Sequence, residues 1–208
     1  MRRLADANRL LGHPEEGIHQ VEEALEIHEG LGNTLERTRT LITLAWLLFW
    51  DGQSDKAEKT TARAIDLLKG GNEPSLCQSH RLLGNIYHSK ANSQEAIRHY
   101  ETALVIASQS NLYDQKFWVH HCIARVFCDQ DQLDDAQTHI TQAKQCIVNN
   151  KYLHGRAAEV QAQIWYQQGR IEDARSEALR ATEVLSELGA VGDMERCRDF
   201  LRRIPSEK

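Results

Sequence analysis

LLGNIYHSKANSQEAIRHYETALVIA, residues 82–107, decides the fold. Its first half places Leu83, Gly84 and Tyr87 three and four residues apart, on one face of a helix. Its second half does the same with Ala96, Tyr100 and Ala103. Between them, SKANS is polar and short, so the stretch reads as two helices joined by a tight turn. Glu95, His99 and Tyr100 also stand close together, as a catalytic cluster would. The rest of the chain discriminates between a catalytic and a helix-packing reading.

The pattern recurs. GHPEEGIHQVEEALEIH (12–28), GQSDKAEKTTARAIDLL (52–68), ANSQEAIRHYETALVIA (91–107), DQLDDAQTHITQAKQCI (131–147) and GRIEDARSEALRATEVL (169–185) align without gaps. Ala57, Ala96, Ala136 and Ala174 match, with Gly17 in the first copy. Seven residues on, Ala24, Ala64, Ala103, Ala143 and Ala181 match throughout, at offsets of 40, 39, 40 and 38 residues. Between the two columns stands Val21, Thr61, Tyr100, Ile140 or Ala178. A position shared by Val, Ile and Tyr is a buried packing position, so Tyr100 is read as core. Small residues at either side let another backbone approach closely.

Local signals agree with this register. Gly12, Gly52 and Gly169 suit the left-handed residue that ends a preceding helix. Ser54 and Ser93 suit the N-cap that follows. Acids then gather in the first turn, at Glu15, Glu16, Asp55, Glu95, Asp134, Asp135, Glu172 and Asp173, where the positive end of the helix dipole favours them. His99 is expected at the surface. Upstream of each copy runs a first helix with its own stripe: Leu41, Leu44, Ala45 and Leu48; Leu83, Gly84 and Tyr87; Ile123, Ala124 and Phe127; Ala158, Ala162 and Trp165. The tail VGDMERCRDFLRRI (191–204) makes a further helix with Met194, Cys197 and Leu201 on one side, fit to cap the last unit.

Leu83, Gly84, Tyr87, Ala96, Tyr100 and Ala103 resemble the tetratricopeptide repeat, and the likeness extends in phase over essentially the whole chain. It implies an all-α solenoid, wound as a right-handed superhelix, of about five helix-turn-helix units plus a C-terminal capping helix. As a single array over 1–208, the repeats fall at about 1–33, 34–72, 73–111, 112–150 and 151–189, with the cap at 190–205. The family's usual period is about 34 residues, so these helices are longer. The family's proline near the end of each unit is missing from most copies. The longer repeat is similar to arrays attached to NACHT or NB-ARC signalling NTPases, which implies a sensor or autoinhibitory role as an alternative. No GxxxxGK[ST] phosphate loop occurs in the chain itself. By register the first helix begins before Met1, so the chain is expected to be a piece of a longer protein, or an array without its N-terminal cap. A naturally short first helix is the other reading.

Composition excludes several classes. The 208 residues are 41% hydrophobic and 26% charged, with only 3 prolines, a helical balance. No apolar run approaches a membrane span, and MRRLADANRL lacks the apolar segment of a signal peptide. A net charge of −5 speaks against general nucleic-acid binding. Five cysteines without a CxxC read as reduced thiols in a cytoplasmic protein. His120, His121, Cys122 and Cys128 are the densest metal-like group, but adjacent helical residues point about 100° apart, and zinc spacings are absent. No HExxH or GxSxG occurs. The expectation is therefore a non-enzymatic protein with no cofactor and no metal.

In a solenoid the first helices line the concave face. Register places Arg39, Ile42, Trp46 and Phe49 there, then Gln78, Arg81, Asn85 and His88, then Trp118, His121, Arg125 and Cys128, then Arg156, Glu159, Gln163 and Tyr166. The first copy adds Arg2, Asp6 and Arg9. Six arginines against two acids make this face net +4 while the chain is −5. A protein or peptide partner is expected, acidic or ending in a carboxylate, with Trp46, Phe49, Trp118 and Tyr166 as apolar anchors. Arg81 followed by Asn85 resembles the carboxylate clamp of chaperone-binding tetratricopeptide proteins. Arg replaces the usual Lys, and the clamp's second Asn is missing, so an ordinary polar face is the alternative. Trp46, Phe49 and Trp50 serve equally well as a docking patch for a neighbouring domain. Self-association through the N-terminal end is a further alternative.

Overall fold

A computed structural model describes residues 14–68 and 71–205. Ten α-helices and no strand occur among them: α1 Pro14–Gly30, α2 Thr34–Trp50, α3 Ser54–Leu67, α4 Glu73–Ser89, α5 Ser93–Gln109, α6 Tyr113–Asp129, α7 Leu133–Gln145, α8 Lys151–Gln167, α9 Ile171–Glu187 and α10 Val191–Arg203. Gly12, the first-copy positions Arg2, Asp6 and Arg9, and the proposed self-association end lie outside the described residues. The chain divides into two compact units, the first ending at Asn111 and the second beginning at Leu112. Among the described residues no helix is long and apolar enough to cross a membrane.

The tight turns follow from local chemistry. At the position that opens each copy the backbone is left-handed: Gly52 (φ +79°), Ala91 (+57°), Asp131 (+58°) and Gly169 (+78°). Glycine holds this conformation without penalty, whereas Ala91 holds it against its Cβ. The N-cap is one residue earlier than the serines suggest. Ser54 and Ser93 are already helical, and the caps are Gln53, whose side chain makes no capping bond to the helix, and Asn92. The Asn92 side chain accepts from the Glu95 amide at 3.3 Å. Asn33, Asn72 and Asn150 do the same, each at 3.2 Å. A left-handed residue at 91 makes 92 the last residue outside the helix, so the short Asn oxygen is the one in reach.

Each second helix buries the face its sequence marks. Ala57, Thr61, Ala64, Ala96, Tyr100, Ala103, Ala136, Ile140, Ala143, Ala174 and Ala181 have no exposed surface, and Ala178 has 1%. The small residues of the first helices, Ala45, Gly84, Ala124 and Ala162, are buried opposite them. The size match is tightest at Gly84. A methyl group there would lie 2.3 Å from Cε1 and 2.5 Å from Cδ1 of Tyr100. The Tyr100 hydroxyl meanwhile donates to Asn85 Oδ1 at 2.6 Å. In the first unit α1 packs on α2, α2 on α3, α3 on α4 and α4 on α5. In the second, α6 packs on α7, α7 on α8, α8 on α9 and α9 on the final α10.

Candidate functional site: a face on the first helices

In the first unit, four expected residues meet. Trp46 and Phe49 of α2 stand edge to face at 6.1 Å, and Trp46 lies 5.4 Å from Trp50. From α4 the Arg81 guanidinium sits over the Trp46 ring, 4.6 Å from its centroid. All four are partly exposed. A cation held flat on an indole is positioned by the ring's electron-rich face. Asn85 and His88 follow one and two turns along α4, half-buried. Asn85 accepts the Tyr100 hydroxyl with its oxygen, which leaves its NH2 as the group for a further acceptor. Arg39 is exposed and pairs with Glu36 at 2.7 Å. Ile42, expected on the open face, is 4% exposed and belongs to the core.

The second unit departs from the expectation. Trp118 is half-buried against Phe117, His121 and Tyr152, with ring centroids 5.1, 5.5 and 6.0 Å away. His121 is 1% exposed, and Cys128 is buried too. Arg156, expected in the groove, is 7% exposed. Its Nη1 pairs with Asp193 of α10 at 2.7 Å and with Glu159 at 3.0 Å. Tyr152 donates to the other Asp193 oxygen at 2.6 Å, and Arg196 also pairs with Asp193. Burial opposes the charge on Arg156, but Glu159 and Asp193 outweigh it and hold the guanidinium above its ordinary pKa. Arg156 therefore ties the capping helix to α8. Its charge is consumed inside. Of the expected residues in this unit, Arg125 is exposed, and Tyr166 is half-buried beside Phe200 at 5.7 Å.

Four histidines are used in a way the sequence reading missed. His99, expected at the surface, is half-buried with its Nδ1 3.1 Å from that of His80. His120 and His139 repeat the contact at 3.1 Å. The signal was present as a spacing: both pairs are 19 residues apart, and the second lies 40 residues after the first. Among the described residues, no group of three or more His, Cys, Asp or Glu gathers to hold a metal ion.

Residues 79–112 match the family model of the tetratricopeptide repeat. No curated protein sequence matches the chain. Among solved structures the chain is similar to BtubC (BKLC) from P. vanneervenii, at 18% identity over 94% of this chain and 95% of that one, with a TM-score of 0.66. It is similar to a putative kinesin light chain from Podosopora anserina with nearly identical TPR-like repeats, at 17% identity over 90% and 93%, TM-score 0.63. It also resembles the Rap protein complexed with competence and sporulation factor, at 12% identity and TM-score 0.70, covering 96% of this chain and 61% of that one. At such identities the likeness is one of fold. Residues 79–112 are thus similar to one tetratricopeptide repeat, and the described residues form an all-helical, tetratricopeptide-like fold.

Proposed function

We propose that this protein is a non-enzymatic interaction scaffold, and that the face formed by α2 and α4 in its first unit takes a peptide or protein segment. The observation that carries the reading is the Arg81 guanidinium stacked on Trp46, within a partly exposed aromatic group that includes Phe49 and Trp50. Each ring packs on the core of the first unit and leaves part of its surface open. The partner's chemistry follows from the side chains. An apolar side chain anchors on the indole and phenyl edges, while a carboxylate, on a side chain or at a chain end, meets Arg81 and the Asn85 amide. Support from likeness is limited to the fold, in which the Rap protein is seen complexed with competence and sporulation factor. The test is affinity capture with Arg81→Glu and Trp46→Ala beside the parent, at low salt. Both variants should lose the captured partner while retaining the parent's helical circular dichroism. Equal capture by all three would refute this face as the site.

A further inference from the structure

The two histidine pairs are built alike. In His80–His99 and His120–His139 the Nδ1 atoms are 3.1 Å apart, and the ring centroids are 5.4 and 5.3 Å apart. The centroid separation is close to the N–N distance plus two ring radii. The nitrogens therefore face each other along the line joining the rings. That is the geometry of an N–H···N hydrogen bond. An ion on the line between facing nitrogens would need them about 4 Å apart, since each imidazole nitrogen sits about 2.0–2.1 Å from a metal. An aromatic ring flanks the second histidine each time: Tyr87 at 5.4 Å on His99, Phe127 at 5.5 Å on His139. Each pair joins the first helix of a repeat to its second, α4 to α5 and α6 to α7.

Proton counting sets the behaviour. In a neutral pair one ring donates its Nδ1–H and the other accepts on Nδ1. One added proton goes to the unprotonated Nε2 of the donor ring, and the contact survives as a charge-assisted bond. A second proton has only the accepting Nδ1 left to occupy. Two N–H groups would then face each other at the same short distance. We propose that these two contacts are acid-released latches, each holding the two helices of its repeat together until a second proton forces the rings apart.

The surroundings agree. Burial, then His99, pushes His80 below the ordinary histidine value, and burial likewise lowers His99. The charges that reach His99 are Glu95 and Arg98 on its own helix and Glu58 of α3. Glu58 is itself engaged by Tyr87 and Lys90 of the α4 segment. The α2 charges turn elsewhere, Glu36 to Arg39 and Arg37 to Glu29. Burial, His139 and Lys116 push His120 down from 6.5 to about 4. On the α8 side of the second pair, Gln161 occupies Lys144 and Gln137. A histidine lowered in the folded state stabilises it above pH 6.5, and that stability is lost as pH falls toward about 4. This latch stands independently of the partner-binding reading.

Long-range proton–nitrogen NMR of the full chain, run from pH 8 to pH 4, tests it directly. At neutral pH one histidine of each pair should be the Nδ1–H tautomer, and both pairs should titrate below the ordinary histidine value of about 6.5. In parallel, the melting temperature of the parent should fall more steeply between pH 6.5 and 4 than that of the double variant His99→Gln/His139→Gln. Four Nε2–H tautomers titrating at about 6.5 would overturn the proposal. So would parallel melting curves for parent and variant. If the double variant does not fold, the tautomers and titrations of the parent decide alone.

Discussion

Gly84→Ala is the sharpest probe of how the repeats fit together. On an exposed helix this change stabilises by about 1 kcal/mol through helix propensity. Here the new Cβ would lie 2.3 Å from Cε1 and 2.8 Å from Cζ of Tyr100. Carbon atoms in contact rest about 3.5–4.0 Å apart, so the ring or the helix must move by more than an ångström. Tyr100 cannot swing aside easily, because it has no exposed surface and its hydroxyl is bound to Asn85 at 2.6 Å. Overpacking of this kind costs about 3 kcal/mol at its upper range. Net of propensity, the variant should be destabilised by about 2 kcal/mol. For a chain of this size that is a melting shift of roughly 4–8 °C. The next copy holds Ala124 and Ile140 at the matching positions, both buried. Adding Tyr100→Ile to Gly84→Ala should therefore recover stability, with a coupling of about 1–3 kcal/mol in a double-mutant cycle followed by urea unfolding. If Gly84→Ala instead raises stability and the two changes are additive, the close fit of α4 on α5 is wrong.

Two further changes test other joints. Ala91→Gly relieves a left-handed alanine at the position where Gly52 and Gly169 stand, and should raise stability by about 0.5–1 kcal/mol in thermal unfolding. Asp193→Ala strands the buried Arg156 with Glu159 alone. It should cost about 3 kcal/mol and speed amide exchange in α10.

The repeat columns were legible because each is a local property: small residues seven apart mark a helix face wherever that helix ends up. Ala103, Ala143 and Ala181 needed nothing beyond their own helix to be placed. Where position depends on a distant residue, the register misleads. Arg156 lies in phase with Arg39 and Gln78, yet Asp193, 37 residues later, turns it inward. Phase alone also put His121, Ile42 and Cys128 on the open face, although the neighbouring helices cover them. The caps were misplaced by one residue because Ser93 is a good cap type, while the left-handed Ala91 decides which residue is last. His99 was read as surface from its own helix, and its partner His80 lies on another. The face of Trp46, Phe49 and Arg81 was legible as composition, but the stacking of Arg81 on Trp46 was not.

The occupant proposed for the α2–α4 face is a carboxylate-bearing segment. The most direct measurement is calorimetric titration of peptides selected from a randomised display library against the parent and against Arg81→Glu. The account predicts sequences that combine an apolar side chain with Asp, Glu or a free carboxyl end, and an affinity loss of at least about tenfold, or ~1.4 kcal/mol, with Arg81→Glu. Peptides that bind the parent and Arg81→Glu equally tightly would contradict it.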